Sequence, residues 1–176
     1  MKINFMKNLS LLIILLVPLF ASAQKLNQKG TDPKKHNEIL LGYCNRDGFG
    51  TINSNFDSAY RAEYAIYKPD EPTLTQLKPA LKGITIKLVM GTWCGDSKEW
   101  VPRFYKVMDQ AGFNYRKMKL IAVDRNKKAG DLDISALHIE RVPTFIFYKK
   151  KKELGRIIEV PYDLIEKDML KIIGGK

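Results

Sequence analysis

Cysteine is almost absent from this chain: 176 residues carry two, Cys44 and Cys94. So few exclude a disulfide scaffold of the kind that small exported domains use to hold a thin core. Either the two pair, or at least one is a working thiol. Histidine is equally scarce, with His36 and His138 alone. Neither has a cysteine or second histidine at ligand spacing, so no metal site and no cofactor is expected. Asp124 and Asp131 fall near loops; Asp124 reads as a strand end and Asp131 as a helix cap. There is no glycine-rich phosphate loop, no Ser-His-Asp order and no internal repeat. After the first twenty residues, no apolar run is long enough to span a bilayer. Acidic residues are outnumbered, 19 Asp and Glu against 30 Lys and Arg, for a net charge of +11. That surface would be drawn to anionic lipid or cell-wall polymers. Basic residues are not interleaved with aromatics as single-strand nucleic-acid binders require, and no nucleic-acid partner is expected. The densest basic run, Lys149 to Lys152, lies between two strand patterns and reads as a solvated hairpin turn.

Residues 1–23 read as a signal peptide. Lys2 and Lys7 make a basic start, Leu9 to Phe20 an apolar stretch, and Ala21-Ser22-Ala23 a small-residue cleavage site. Export to the periplasm or medium follows, with no integral membrane span after cleavage. Residues 24–37 are polar and read as a mobile leader. Residues 38–176 suffice for one domain, because about 150 residues bury roughly 68–70% of their unfolded surface. Within it, 38–83 reads as an N-terminal extension with the first elements, and 84–173 as the core.

Glu38 to Cys44 is a short apolar run with strand character, and Asn45-Arg46-Asp47-Gly48 is turn chemistry. Phe56, Tyr60, Tyr64 and Tyr67 fall at helical spacing, as do Leu74, Leu77 and Leu81 after the break at Pro69 to Pro72. Ile84 to Met90 is a buried-type strand. A helix follows it, with Trp100, Phe104, Val107 and Met108 on one face, Pro102 inside it and Gly112 at its end. Met118 to Asp124 reads as a second buried strand and Asp131 to Ile139 as a short helix. Thr144 to Tyr148 and Leu154 to Val160 flank the lysine turn as a hairpin. A closing helix is expected from Pro161, with Ile165, Met169, Ile172 and Ile173 inward. Strands alternating with helices imply parallel pairing, and the hairpin adds an antiparallel edge. The class is therefore α/β, a mixed central sheet with helices on both faces and an N-terminal helical extension.

The chemistry concentrates in Gly91-Thr92-Trp93-Cys94-Gly95-Asp96-Ser97, where a strand hands over to a helix. Amide N–H groups and the helix dipole favour a thiolate there, so Cys94 is the candidate nucleophile. Trp93 is placed to shield the sulfur and offer an apolar landing surface. Asp96 reads as a helix cap, the alternative being a carboxylate whose charge beside Cys94 raises the thiol pKa and partly offsets the helix dipole.

This stretch resembles the active-site segment of the thioredoxin superfamily, where Trp-Cys-x-x-Cys occupies the same junction. Pro102 matches the proline inside that family's active-site helix. Val142-Pro143-Thr144 resembles its cis-proline loop, and Glu153 the acidic residue after its hairpin turn. The run Gly91 to Asp109 also resembles small exported thioredoxin-like proteins of Bacteroidetes-type bacteria. The resemblance implies a thioredoxin fold over about Glu38 to Ile173 and thiol–disulfide exchange through Cys94. Partners would be protein or low-molecular-weight thiols and disulfides, with the Val142 backbone pairing the substrate as an added strand would. Two departures stand out. Ser97 replaces the second cysteine, so internal release of a mixed disulfide is lost, and Ser97 is left to support the Cys94 thiolate by a hydrogen bond. Leu88 stands where many members carry a buried acid. Release would then fall to an external thiol acting as reductant, or to Cys44 as an alternative resolving thiol. The competing expectation is a binding module that keeps the groove without turnover.

Overall fold

The computed structural model describes residues 25–175. The signal-peptide reading of residues 1–23 lies outside them. Six strands form one sheet: β1 (Gln28–Thr31), β2 (Glu38–Cys44), β3 (Ile84–Met90), β4 (Met118–Ala122), β5 (Thr144–Lys149) and β6 (Lys152–Ile158). Their order across the sheet is β1-β2-β4-β3-β5-β6. Only β3 and β4 are parallel; the other neighbours run antiparallel.

The four helices are α1 (Phe56–Ile66), α2 (Glu71–Ala80), α3 (Gly95–Gln110) and α4 (Ile165–Gly174). Asp70 starts α2 by accepting from the Thr73 N–H, and a proline sits in the first turn, where no amide donor is needed. The α4 helix begins at Ile165 rather than Pro161. The segment before it is held instead by Asp168, whose carboxylate accepts from the Tyr162 N–H at 2.6 Å.

All four helices feed one core. Phe56 and Tyr60 of α1, Leu74 and Leu77 of α2, Val101 and Phe104 of α3, and Ile165 and Met169 of α4 pack on Leu40, Ile86, Leu88, Leu120, Phe145 and Phe147 of the sheet. Leu88 is completely buried there. The opposite face holds Val89, Ile121, Ile146, Val123, Ala129, Leu137 and Val142. Its cover is the β4–β5 connection. The helix expected over Asp131 to Ile139 reduces to one 3-10 turn, Ser135–Leu137, and Asp131 caps nothing. Ala129 pairs with Leu132 in a local bridge, and Leu132, Ile134 and Ile139 pack on the sheet as loop residues.

The leader expected over residues 24–37 is corrected as well. Gln28 to Thr31 pair with Leu41 to Glu38 as an edge strand. The turn beyond is held by Asp32, fully buried, whose carboxylate takes two hydrogen bonds from Arg125 at 2.7 and 2.8 Å. Those bonds, against an opposing contribution from burial, hold the Asp32 carboxyl down at about 2. Its folded value lies below the unfolded one, so the stabilisation is complete above about pH 4 and is lost as pH falls toward 2. Asp32→Asn is expected to cost about 1.5–3 kcal/mol at pH 7. Melting curves of the two proteins should converge between pH 4 and 2; a difference independent of pH would contradict this role.

Candidate functional site

The strand-to-helix junction is built as its residues demand. Cys94 is the N-cap of α3, with φ −85° and ψ 136°. Its N–H donates to the Gly91 carbonyl at 2.9 Å, and its own carbonyl accepts from the Lys98 N–H at 3.2 Å. The sulfur therefore sits where the first amides of α3 lack helical partners. Asp96 lies in the first turn without being the cap. It complements the helix dipole there, and the cap expected of it belongs to Cys94. Gly95, exposed, opens the helix, and Pro102 is buried within it.

The Val142–Pro143 peptide is cis, and the Cys94 thiol donates to the Val142 carbonyl at 3.2 Å. Residues 48 positions apart in the chain thus meet at the sulfur. Cys94 is 8% exposed, so little of it faces solvent. Thr144 turns inward, its hydroxyl donating to the Arg141 carbonyl at 2.6 Å. Thr144 fixes the loop and offers its side chain to nothing outside.

Trp93 is half-buried, and its indole N–H donates to the Val123 carbonyl at 2.8 Å. The Arg125 guanidinium lies 4.6 Å from the centre of its ring. A Cβ at Gly91 would stand 2.6 Å from indole atoms, so glycine is needed there for the ring to seat. Thr92 Oγ1 accepts from the Leu40 N–H at 3.2 Å, tying β2 to the same turn.

Two expectations about sulfur chemistry are corrected. Ser97 is fully buried, and its hydroxyl accepts from the Gly91 N–H at 3.3 Å. It braces the turn rather than bonding to Cys94. Cys44 is no resolving thiol: both cysteines are free and buried, and they belong to cores on opposite sides of the sheet. Cys44 lines up with Leu120, and Leu120 with Leu88, all facing the helices. Burial pushes the Cys44 thiol up to about 12. Native protein should accordingly take one iodoacetamide, on Cys94, and denatured protein two. Labelling of Cys44 without unfolding would contradict the placement.

Arg125, Asp32 and Lys98 were not singled out by sequence reasoning, and Gly91 and Thr92 were named only as part of the junction, without a role. Arg125 had one signal, its place just past the end of a central parallel strand, where sites of α/β sheets gather. His36 is exposed, His138 ends the 3-10 turn in a left-handed conformation, and Asp124 accepts from the N–H groups of Asn126 and Lys128. Glu153 pairs with Arg156 in β6. Among the described residues, no group of three or more His, Cys, Asp or Glu side chains stands ready for a metal ion. No described helix is long and apolar enough to cross a membrane.

No protein-family model matches the sequence, and no curated protein matches it. Solved structures do. A protein of unknown function from Pseudomonas aeruginosa aligns with a TM-score of 0.51 at 13% identity, over 72% of this chain and 84% of that one. Mitochondrial thioredoxin 3 from Saccharomyces cerevisiae, in its oxidised form, aligns with a TM-score of 0.36 at 21% identity, over 58% of this chain and 90% of that one. Thioredoxin from Fasciola hepatica gives 0.37 at 19%, over 58% and 89%. The parallel β3-α3-β4 unit, the antiparallel β5–β6 hairpin and the closing α4 make the fold thioredoxin-like.

Proposed function

We propose that this chain is an exported monothiol–disulfide exchange protein with Cys94 as its nucleophile. The observation that carries the reading is the meeting of the Cys94 thiol, at the start of α3, with the Val142 carbonyl beside Pro143. In the first step the Cys94 thiolate, its proton given to solvent, attacks one sulfur of a substrate disulfide. The substrate S–S bond breaks, a Cys94–substrate disulfide forms, and the other half leaves as a thiolate that takes up a proton. In the second step an external thiol attacks the mixed disulfide and frees Cys94. Each step conserves the number of disulfides; net reduction comes from the external thiol.

Trp93 supplies the apolar shelf beside the sulfur, and the Val142 backbone the polar edge for an extended partner. Gly95, Asp96, Ser97, Pro102 and Thr144 keep the junction and the loop in place. Export rests on the pattern of residues 1–23. The second reading is a thiol-binding module without turnover, favoured by the small exposure of Cys94 and the absence of a second thiol on its side of the sheet. Turnover of a chromogenic mixed disulfide with excess dithiothreitol separates the two. The exchange reading expects many cycles per protein molecule; a single stoichiometric event would favour the binding module.

A further inference from the structure

The sheet face that carries Val89, Ile121 and Ile146 changes character toward the start of β3. Side chains alternate along a strand, so Thr85 and Lys87 share that face with Val89. Lys119 of β4 stands opposite Lys87 in the parallel β3–β4 register. These are the two middle strands of the sheet. Two like charges thus lie side by side on a face whose other end buries aliphatic side chains, and neighbours at this spacing repel. This end of the face is open: Lys87 is half-buried, and Thr85 and Lys119 are exposed.

A cavity of about 300 Å³ opens here. Lys87, Arg116, Lys117, Lys119 and Lys151 line it together with Tyr148, and among the described residues no carboxylate does. The five cations converge from β3, from the 3-10 turn Tyr115–Lys117 with the β4 strand after it, and from the β5–β6 turn. The lysine run at 149–152, read from the sequence as a solvated turn, therefore supplies part of a wall. The Lys87 ammonium lies 5.2 Å from the centre of the Tyr148 ring, and that of Lys119 lies 5.5 Å from the centre of the Tyr43 ring. These contacts steady the two side chains and leave their charge unneutralised. Among the described residues, none of the five has a carboxylate within ion-pair distance. Glu153, opposite Tyr148 in the β5–β6 register, gives its two oxygens to Arg156 at 2.7 and 2.8 Å. The positive charge of the cavity is unmatched.

We propose that this cavity is a second site, which binds a phosphate group carrying two or more negative charges. Four of its five cations are lysines, compact charges that hold phosphate without the fork geometry a carboxylate favours. Ligand pockets run from about 300 to 1,000 Å³, so this one takes a small anion or the charged head of a larger molecule. An anion between Lys87 and Lys119 also removes their repulsion. The site stands apart from the thiol: β3 starts at the cavity and ends before the junction that carries Cys94. Binding here is non-covalent and does not depend on the exchange reading.

The test titrates inorganic pyrophosphate into the protein by calorimetry at about 20 mM salt, where screening is weak. A Lys87→Gln, Lys119→Gln variant is expected to bind about tenfold more weakly, the loss that removing charge-assisted bonds gives. A Lys68→Gln, Lys78→Gln variant loses the same charge from exposed positions outside the cavity and should bind as the parent does. Citrate, which offers similar charge on carboxylates, should bind more weakly than pyrophosphate. In the unsubstituted protein, amide NMR shifts on adding pyrophosphate should gather at residues 85–87, 116–119 and 148–151, which decides the place even if the variant folds badly. No binding, equal losses in the two variants, or shifts spread over the basic surface overturn the site. Equal affinity for citrate overturns its assignment to phosphate. Vesicles of phosphatidylcholine with and without phosphatidic acid separate the sources. Retention on the phosphatidic acid vesicles that pyrophosphate competes away assigns a lipid headgroup, and pyrophosphate binding without retention assigns a soluble phosphate compound.

Discussion

Replacing Cys94 by serine is expected to reduce disulfide exchange to the uncatalysed background, a loss of roughly 10³-fold or more. No other described residue can take over. Cys44 is the only other thiol, and it lies in the core on the far side of the sheet with its proton held up to about 12. A serine at position 94 keeps the N-cap position of α3, and its hydroxyl can still donate to the Val142 carbonyl. The fold should therefore survive, with a melting temperature close to that of the parent. Activity and stability thus separate cleanly in this variant. Retention of exchange in Cys94→Ser protein, assayed with the same dithiothreitol supply, would remove Cys94 from the reaction.

Replacing Ser97 by cysteine is expected to convert the monothiol into a dithiol protein. Ser97 sits one turn after Cys94 on α3 and is completely buried behind it. A thiol there is tethered to the mixed disulfide, and even loose tethering supplies an effective concentration of about 1 mM or more. Release of a trapped substrate should then proceed without added thiol and leave an internal disulfide between Cys94 and the introduced thiol. The substitution weakens the bond that the Ser97 hydroxyl accepts from the Gly91 N–H, costing about 1 kcal/mol. If the variant still holds its mixed disulfide until thiol is added, position 97 does not face the sulfur closely enough to resolve it. The absence of internal release would then need a cause other than the missing sulfur.

What could be read from the chain depended on whether side-chain pattern or main-chain geometry decided the outcome. Ile84–Met90 was legible because its apolar residues are buried on both faces of a central strand, between β4 and β5. The hairpin was legible from its flanks. Lys150 and Lys151 take φ of 50° and 68°, the left-handed pair that a two-residue turn needs, although neither is the glycine or asparagine that usually signals it. Cys94, Trp93 and Pro143 were found from their local motifs, and the structure brings them to one rim. The edge strand β1 was not legible, because Gln28 to Thr31 has no apolar rhythm and is held by main-chain bonds to β2. Nor was the Asp32–Arg125 pair, whose members are 93 residues apart. The direction of the Ser97 hydroxyl was misread for a related reason. Its choice between Cys94 and Gly91 depends on where the turn places the Gly91 amide, which residue types alone do not specify.

The most direct test of exchange through Cys94 is mass spectrometry of the unsubstituted protein after brief treatment with hydroxyethyl disulfide and removal of the reagent. One adduct per chain is predicted, located on Cys94, that persists until an external thiol is added and then leaves completely. An adduct that vanishes without added thiol would mean that Cys44 reaches the site after all. No adduct on folded protein, with ready reaction once it is denatured, would mean that Cys94 is an inert thiol and that exchange is not what this fold does.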